Sequence, residues 1–149
     1  MTRAVTEAVR EAIGSVPLVL KIGYFADDTT LNEIVAIADA YADGIASINT
    51  LQATIVNEKG EQALPGPNRM KSGVCGASIT WAGLSMIERL NKIRAARGSK
   101  SALVGSGGVM NPKDFKAYRD RGADVVMSAT GAMWNPYLAK EIREAYPQG

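Results

Sequence analysis

Two short segments of this sequence carry their chemistry in the main chain. Ser106-Gly107-Gly108 and Ala129-Thr130-Gly131 each follow an apolar run, and each stands shortly before an Asn-Pro pair. Glycine leaves no side chain to keep a ligand from the peptide N–H groups. Closely spaced N–H groups near a helix start hold an anion well. Either segment alone reads as a turn. At matching positions along the chain they read together as a phosphate cradle, with the Thr130 hydroxyl added. Lys21 is the only charge in the run 17–22. A lysine inside a buried strand needs a partner. It snorkels from a sheet edge or pairs with a carboxylate such as Asp27 or Asp28, or it faces an anionic or electron-rich ligand. Asn49 ends another apolar run with both a donor and an acceptor. It suits an amide-like ligand edge, or it caps a loop. Gly76 allows close backbone approach by a flat ligand. Cys75 is its neighbour, but without a histidine to activate it we do not read it as a nucleophile. Trp81 and Trp134 read as packing at helix starts.

These groups must be positioned by alternating elements. Val5, Val9 and Ile13 recur every four residues, which predicts a helix over 2–14 with that stripe as its packed face. The proline-led run 17–22 reads as a strand buried on both faces. A helix follows, capped near Asp27 to Thr29, with Leu31, Ile34, Val35, Ala38 and Tyr41 on one face. Residues 44–50 form a second strand. Residues 51–76 hold no period and are punctuated by glycine and proline, as functional loops often are. A small hairpin is expected there around Glu58-Lys59-Gly60. A long helix covers about 80–97, with Leu84, Ile87, Leu90 and Ile93 carrying the period and Gly98 closing it. A third strand at 101–105 leads to Asn111-Pro112, where Asn caps and Pro opens a helix. The fourth strand spans 124–130. A last helix is expected to start with the same signature at Asn135-Pro136. The two Asn-Pro starts hint at an internal repeat. Helix, then βα four times, predicts a parallel sheet with helices outside it in one domain, 1–149. Ligands in such folds sit at the carboxyl ends of the strands, where all of the residues above fall.

Composition narrows the chemistry. The chain has 149 residues, 46% hydrophobic and 21% charged, enough for one domain with a real core. The net charge of +2, from 17 basic and 15 acidic residues, gives no footprint for nucleic acid. No apolar run can span a bilayer and no signal peptide is visible, so a cytoplasmic protein is expected. The lone cysteine allows no internal disulfide. The absence of histidine removes the commonest general base and zinc ligand, and no metal site is expected.

In order, Val19-Leu20-Lys21-Ile22, Ile48-Asn49-Thr50, Ser72-Gly73-Val74-Cys75-Gly76-Ala77, Val104-Gly105-Ser106-Gly107-Gly108-Val109 and Val126-Met127-Ser128-Ala129-Thr130-Gly131 resemble the C-terminal half of the dihydroorotate dehydrogenase family. The surroundings of Thr130 also resemble dihydropyrimidine dehydrogenase domains. The resemblance implies about half of a (β/α)8 barrel, with βα units like the fifth to eighth strands, and FMN as cofactor. It implies that Lys21 touches the flavin ring, and that Asn49 and Thr50 meet a pyrimidine substrate. Gly76, Ser106, Gly107, Gly108, Ala129, Thr130 and Gly131 would surround the flavin and its phosphate. The general base would lie in the missing half, which leaves no catalytic residue here. The expected activity is flavin-dependent hydride transfer with a dihydropyrimidine, complete only with that half. A non-catalytic phosphate-binding module and an inactive structural fragment are the other readings. Two open sheet edges and an uncovered inner face predict pairing with a complementary half or with a second copy.

Overall fold

The computed structural model describes residues 1–148. Helix α1 (Thr2–Ile13) is followed by β1 (Val19–Ile22), α2 (Asp28–Tyr41) and β2 (Gly44–Ser47). Next come β3 (Leu51–Thr54), β4 (Lys71–Val74), α3 (Thr80–Arg97) and β5 (Ala102–Ser106). The chain ends with α4 (Pro112–Asp120), β6 (Val125–Met127), α5 (Thr130–Trp134) and α6 (Leu138–Ala145). Strands β1, β2, β5 and β6 form one four-stranded sheet in that order, and every pair is parallel. This is the parallel α/β sheet that the alternation of elements predicts, and its four strands match the half-barrel that the resemblance implies. Strands β3 and β4 form a separate antiparallel pair. No helix among the described residues is long and apolar enough to cross a membrane.

The helices cover the sheet face that carries Leu20, Ile22, Ile45, Leu103 and Val126. Met86, Ile87 and Leu90 of α3 are 0% exposed at the centre of this core. Each such side chain contributes about 1.5–3 kcal/mol by leaving water. The other sheet face is open at its edges, where Val19, Val125 and Met127 are 45%, 51% and 55% exposed.

Several local expectations need correction. β1 is an edge strand, and Val19 and Lys21 on its inner face are exposed, so it is not buried on both faces. In α1 the stripe Val5 and Val9 is exposed, and Thr6 is buried instead. A polar anchor sets the rotation of that helix. Arg10 donates to the carbonyls of Tyr41, Gly14 and Val16 and to Asp43, which turns its face inward. In α3 the buried stripe includes Ala82 and Gly83, whereas Leu84 is only half-buried. The segment 51–76 is a longer hairpin than expected, with paired strands at its base and an isolated bridge, Val56 to Gln62, nearer its tip. Asn111 caps α4 as its sequence predicts, accepting from the N–H groups of Lys113 and Asp114. Asn135 does not cap the last helix. It terminates α5, and α6 starts only at Leu138. The expected fourth strand is also shorter, because Thr130 already begins α5.

An internal repeat does exist, at the other end of the strands. Asp43, just before β2, accepts from the Leu18 N–H at 2.7 Å and pairs with Arg10 of α1 at 2.6 Å. Asp124, just before β6, accepts from the Leu103 N–H at 2.8 Å and pairs with Arg94 of α3. Helix arginine, strand, helix, aspartate recurs twice as one clasp.

Candidate cofactor-binding site at the strand tips

The carboxyl ends of β1, β2, β5 and β6 open onto one cleft of about 360 Å³. Lys21, Asn49, Thr50 and Gly76 line one part of it. Ser106, Gly107, Gly108, Ala129, Thr130 and Gly131 line the rest. Each residue that the resemblance assigns to cofactor or substrate therefore lines a single concavity. A wider depression of about 680 Å³ near Lys140, Arg143 and Glu144 is polar surface remote from every strand tip.

The hairpin explains how Asn49 and Thr50 come to stand beside Cys75 and Gly76. Register pairs Leu51 with Val74, so the two ends of the excursion leave the sheet together. Gly73 makes room for this: a Cβ there would lie 2.6 Å from the Thr50 hydroxyl. The Thr130 hydroxyl reaches the Cys75 sulfur at 3.6 Å, linking the hairpin base to the start of α5.

The segment 106–109 has an unusual polarity. Its carbonyls are bound to the protein interior in succession. Ser106 O accepts from the Ile48 N–H at 2.9 Å and from the Tyr118 hydroxyl at 3.2 Å. Gly107 O accepts from the same hydroxyl at 2.7 Å. Gly108 O accepts from the Thr80 hydroxyl at 3.0 Å, and Val109 O from Ser128 at 2.7 Å. The N–H groups of Gly107, Gly108, Thr130 and Gly131 donate to no protein acceptor among the described residues. Buried or lining peptide groups normally find partners. A run of free donors with saturated acceptors is the arrangement of an anion nest.

The glycines also answer a demand of packing. A Cβ at Gly107 would crowd buried residues, of which Ile48 and Ile79 also line the cleft. It would lie 3.2 Å from Ile48, 3.4 Å from Ile79 and 3.4 Å from the Tyr118 hydroxyl. At Gly108 it would lie 2.0 Å from Thr80 Oγ1, and at Gly131 2.2 Å from Val109 O. Gly107 and Gly108 also have φ of +117° and +73°, which favours glycine. The glycines thus let the loop sit down on the core in a conformation that frees its amides.

Lys21 is exposed and makes no salt bridge among the described residues. The carboxylates considered as its partners are engaged elsewhere. Asp27 caps α2 through the Thr30 N–H at 2.7 Å, and that hydrogen bond holds its carboxyl below the usual range. Asp28 pairs with Arg89 at 2.7 Å. The exposed Asn49 side chain caps nothing among the described residues. The tryptophans stay outside the cleft. Trp81, 60% exposed, meets only the edge of Tyr24, and Trp134, 81% exposed, ends a helix instead of packing at a helix start.

Sequence reading missed Met110, Met127, Ser128 and Met133, which also line the cleft. It missed Tyr118 and Thr80 as well. One signal existed: Gly83 lies inside a strong helix, where glycine costs about 1 kcal/mol against alanine and marks a close contact. The contact is Tyr118, whose hydroxyl would lie 1.8 Å from a Cβ at that position.

No family model matches the chain. A dihydroorotate dehydrogenase of Dictyostelium discoideum is 39% identical over 127 residues, covering 84% of this chain and 34% of that protein. The chain is dihydroorotate dehydrogenase-like. A quinone-type dihydroorotate dehydrogenase of Methylibium petroleiphilum is 33% identical, over 88% of the chain and 36% of its own length. The catalytic subunit of an NAD-type enzyme from Bacillus pumilus is 30% identical, over 99% and 44%. A solved DHODH from Eimeria tenella superposes with a TM-score of 0.67 at 19% identity, covering 86% of this chain and 32% of that one. That likeness concerns the fold. The dihydroorotate dehydrogenase-like chain therefore spans between a third and a half of the curated relatives it matches.

Proposed function

We propose that this chain is the FMN-phosphate-binding half of a dihydroorotate dehydrogenase-like oxidoreductase. The single observation that carries this reading is the nest: free amides at Gly107, Gly108, Thr130 and Gly131 line one cleft with the cation of Lys21. A phosphate needs donors without competing acceptors, and the segment 106–109 turns its carbonyls away. The residues present fit the cofactor: the free peptide edges would meet its anionic tail, with Ser106 lining the cleft while its hydroxyl donates to Ile48 O at 2.8 Å, and Gly76, Ala129 and Lys21 would stand beside its ring.

In this proposal Lys21 sets a positive charge against the ring, and Asn49 offers both a donor and an acceptor to a pyrimidine. Thr50 lies beside it, fixed against Gly73. Bound FMN supplies hydride acceptance from a saturated carbon–carbon bond of the substrate. The names of the relatives favour dihydroorotate as that substrate. The base that removes the accompanying proton is assigned to the complementary half of the barrel. That half, or a second copy, covers the exposed inner face at Val19, Val125 and Met127.

Flavin titration tests the reading directly. The purified chain should bind FMN and turn yellow, and dihydroorotate oxidation should appear only when the complementary half is added. Light scattering should show an associated species at micromolar concentration. No FMN binding by the chain or by the reassembled halves would end the proposal.

A further inference from the structure

Beyond this reading, and resting on it, we propose that the interior hydroxyls of Tyr118 and Thr80 are positioning groups that hold the glycine loop in its anion-binding form. Tyr118 lies on α4 and is 0% exposed, so it touches no ligand in the cleft. Its single hydroxyl proton is nevertheless shared between the carbonyls of Gly107 at 2.7 Å, the closer acceptor, and Ser106 at 3.2 Å. Thr80, at the start of α3, shares its one hydroxyl proton between the carbonyls of Ala77 at 2.8 Å and Gly108 at 3.0 Å.

A peptide group is planar, so fixing the carbonyl of one residue fixes the N–H of the next. The Tyr118 bond to Gly107 O therefore orients the Gly108 amide, and its bond to Ser106 O orients the Gly107 amide. Thr80, through Gly108 O, orients the next amide, that of Val109, which also donates to no protein acceptor among the described residues and lines the cleft. Each donor stands behind the loop and each free amide faces away from it. Ring packing alone does not require this arrangement. Two glycines are given over to it: a Cβ at Gly83 would lie 1.8 Å from the hydroxyl oxygen, and one at Gly105 would lie 2.4 Å from the ring. Burial pushes the tyrosine hydroxyl above its ordinary titration range, which keeps it a donor at every physiological pH. The site is thus set before any ligand arrives, and orientation does not have to be gained on binding.

Tyr118→Phe keeps the ring and removes the donor. Riboflavin and FMN differ only by the phosphate, so their affinities for the full chain separate cradle from ring. In the wild type FMN should bind more tightly than riboflavin. In Tyr118→Phe the FMN dissociation constant should rise about 10-fold, the equivalent of one well-made hydrogen bond, while that of riboflavin stays within about 2-fold. A purely structural role would weaken both ligands together. Thr80→Val is read in the same way and carries the test if the phenylalanine variant does not fold. If the wild type selects FMN and both variants keep its preference, the positioning role is overturned and the cofactor reading survives. If the wild type shows no preference for FMN, both are overturned.

Discussion

The two ends of the sheet solve opposite problems with the same backbone. At the strand starts the aspartates are all paired. Asp43 and Asp124 each gather a neighbouring strand amide and a helix arginine, and Asp39 gathers Ser99, Ser101 and Arg97. At the strand tips the donors of 107–108 and 130–131 are left unpaired, while the acceptors beside them are satisfied. Side-chain charges close one end, and main-chain dipoles open the other. In barrels of this kind the starting end serves stability and the tips serve ligands. Here the distinction can be read bond by bond.

The strongest challenge to this contrast is a substitution where the tip loop meets the core. Gly83→Ala should destabilise the chain by about 3 kcal/mol in urea denaturation, although alanine is the better helix former, because the added methyl overlaps Tyr118. Unchanged stability would mean that the tyrosine is not seated there. Gly108→Ala should cost about 2–3 kcal/mol, because left-handed strain adds to overlap with Thr80 and the Gly76 carbonyl, and should also abolish the preference for FMN over riboflavin. Arg94→Met at the strand starts should cost about 2 kcal/mol, since it leaves Asp124 and two carbonyls without their donor. Its preference for FMN over riboflavin should remain that of the wild type. If Arg94→Met loses the preference and Gly108→Ala keeps it, the division between the ends is wrong.

The smallest effect is in acid. The Leu18 N–H, with Arg10 next, holds the Asp43 carboxyl below its ordinary value of 3.8. A depressed carboxyl stabilises the fold above its unfolded value and loses that contribution as pH falls through the folded one. Asp43→Asn should therefore be less stable than the wild type at pH 7, with the gap closing below pH 3.8. Thermal melts across that range decide the matter, and a gap independent of pH would remove the charge from the clasp.

Element order and cleft membership were legible in the sequence, because both rest on local rules. Apolar runs after a turn residue give strands, and loops after parallel strands give ligand sites. The helix over 80–97 and the cap at Asn111 follow from side chains that act within a turn of themselves. Contacts between elements were not legible. The face of α1 is chosen by Arg10 reaching Asp43, a residue on a different element. The second Asn-Pro pair has the residues of a cap but sits between two short helices, where Asn135 turns its side chain to Tyr137 and Glu141. The glycines of 107–108 line the cleft as expected, but the demand that packing makes on them was not legible. Their missing side chains face Ile48, Ile79 and Thr80, a fact set by packing from three other segments.

The hairpin of β3 and β4 has a practical consequence. Its base fixes the position of Thr50 and Gly76, and its far turn is self-contained, with Asn57 accepting from the amides of Lys59 and Glu61. Gly60 has open space around it. Extra residues inserted between Lys59 and Gly60 would extend outward from a closed ladder without passing any change down to the cleft. That turn is thus a permissive point for an epitope, a fluorophore or a tether, from which occupancy of the cleft can be followed without modifying any residue that forms it.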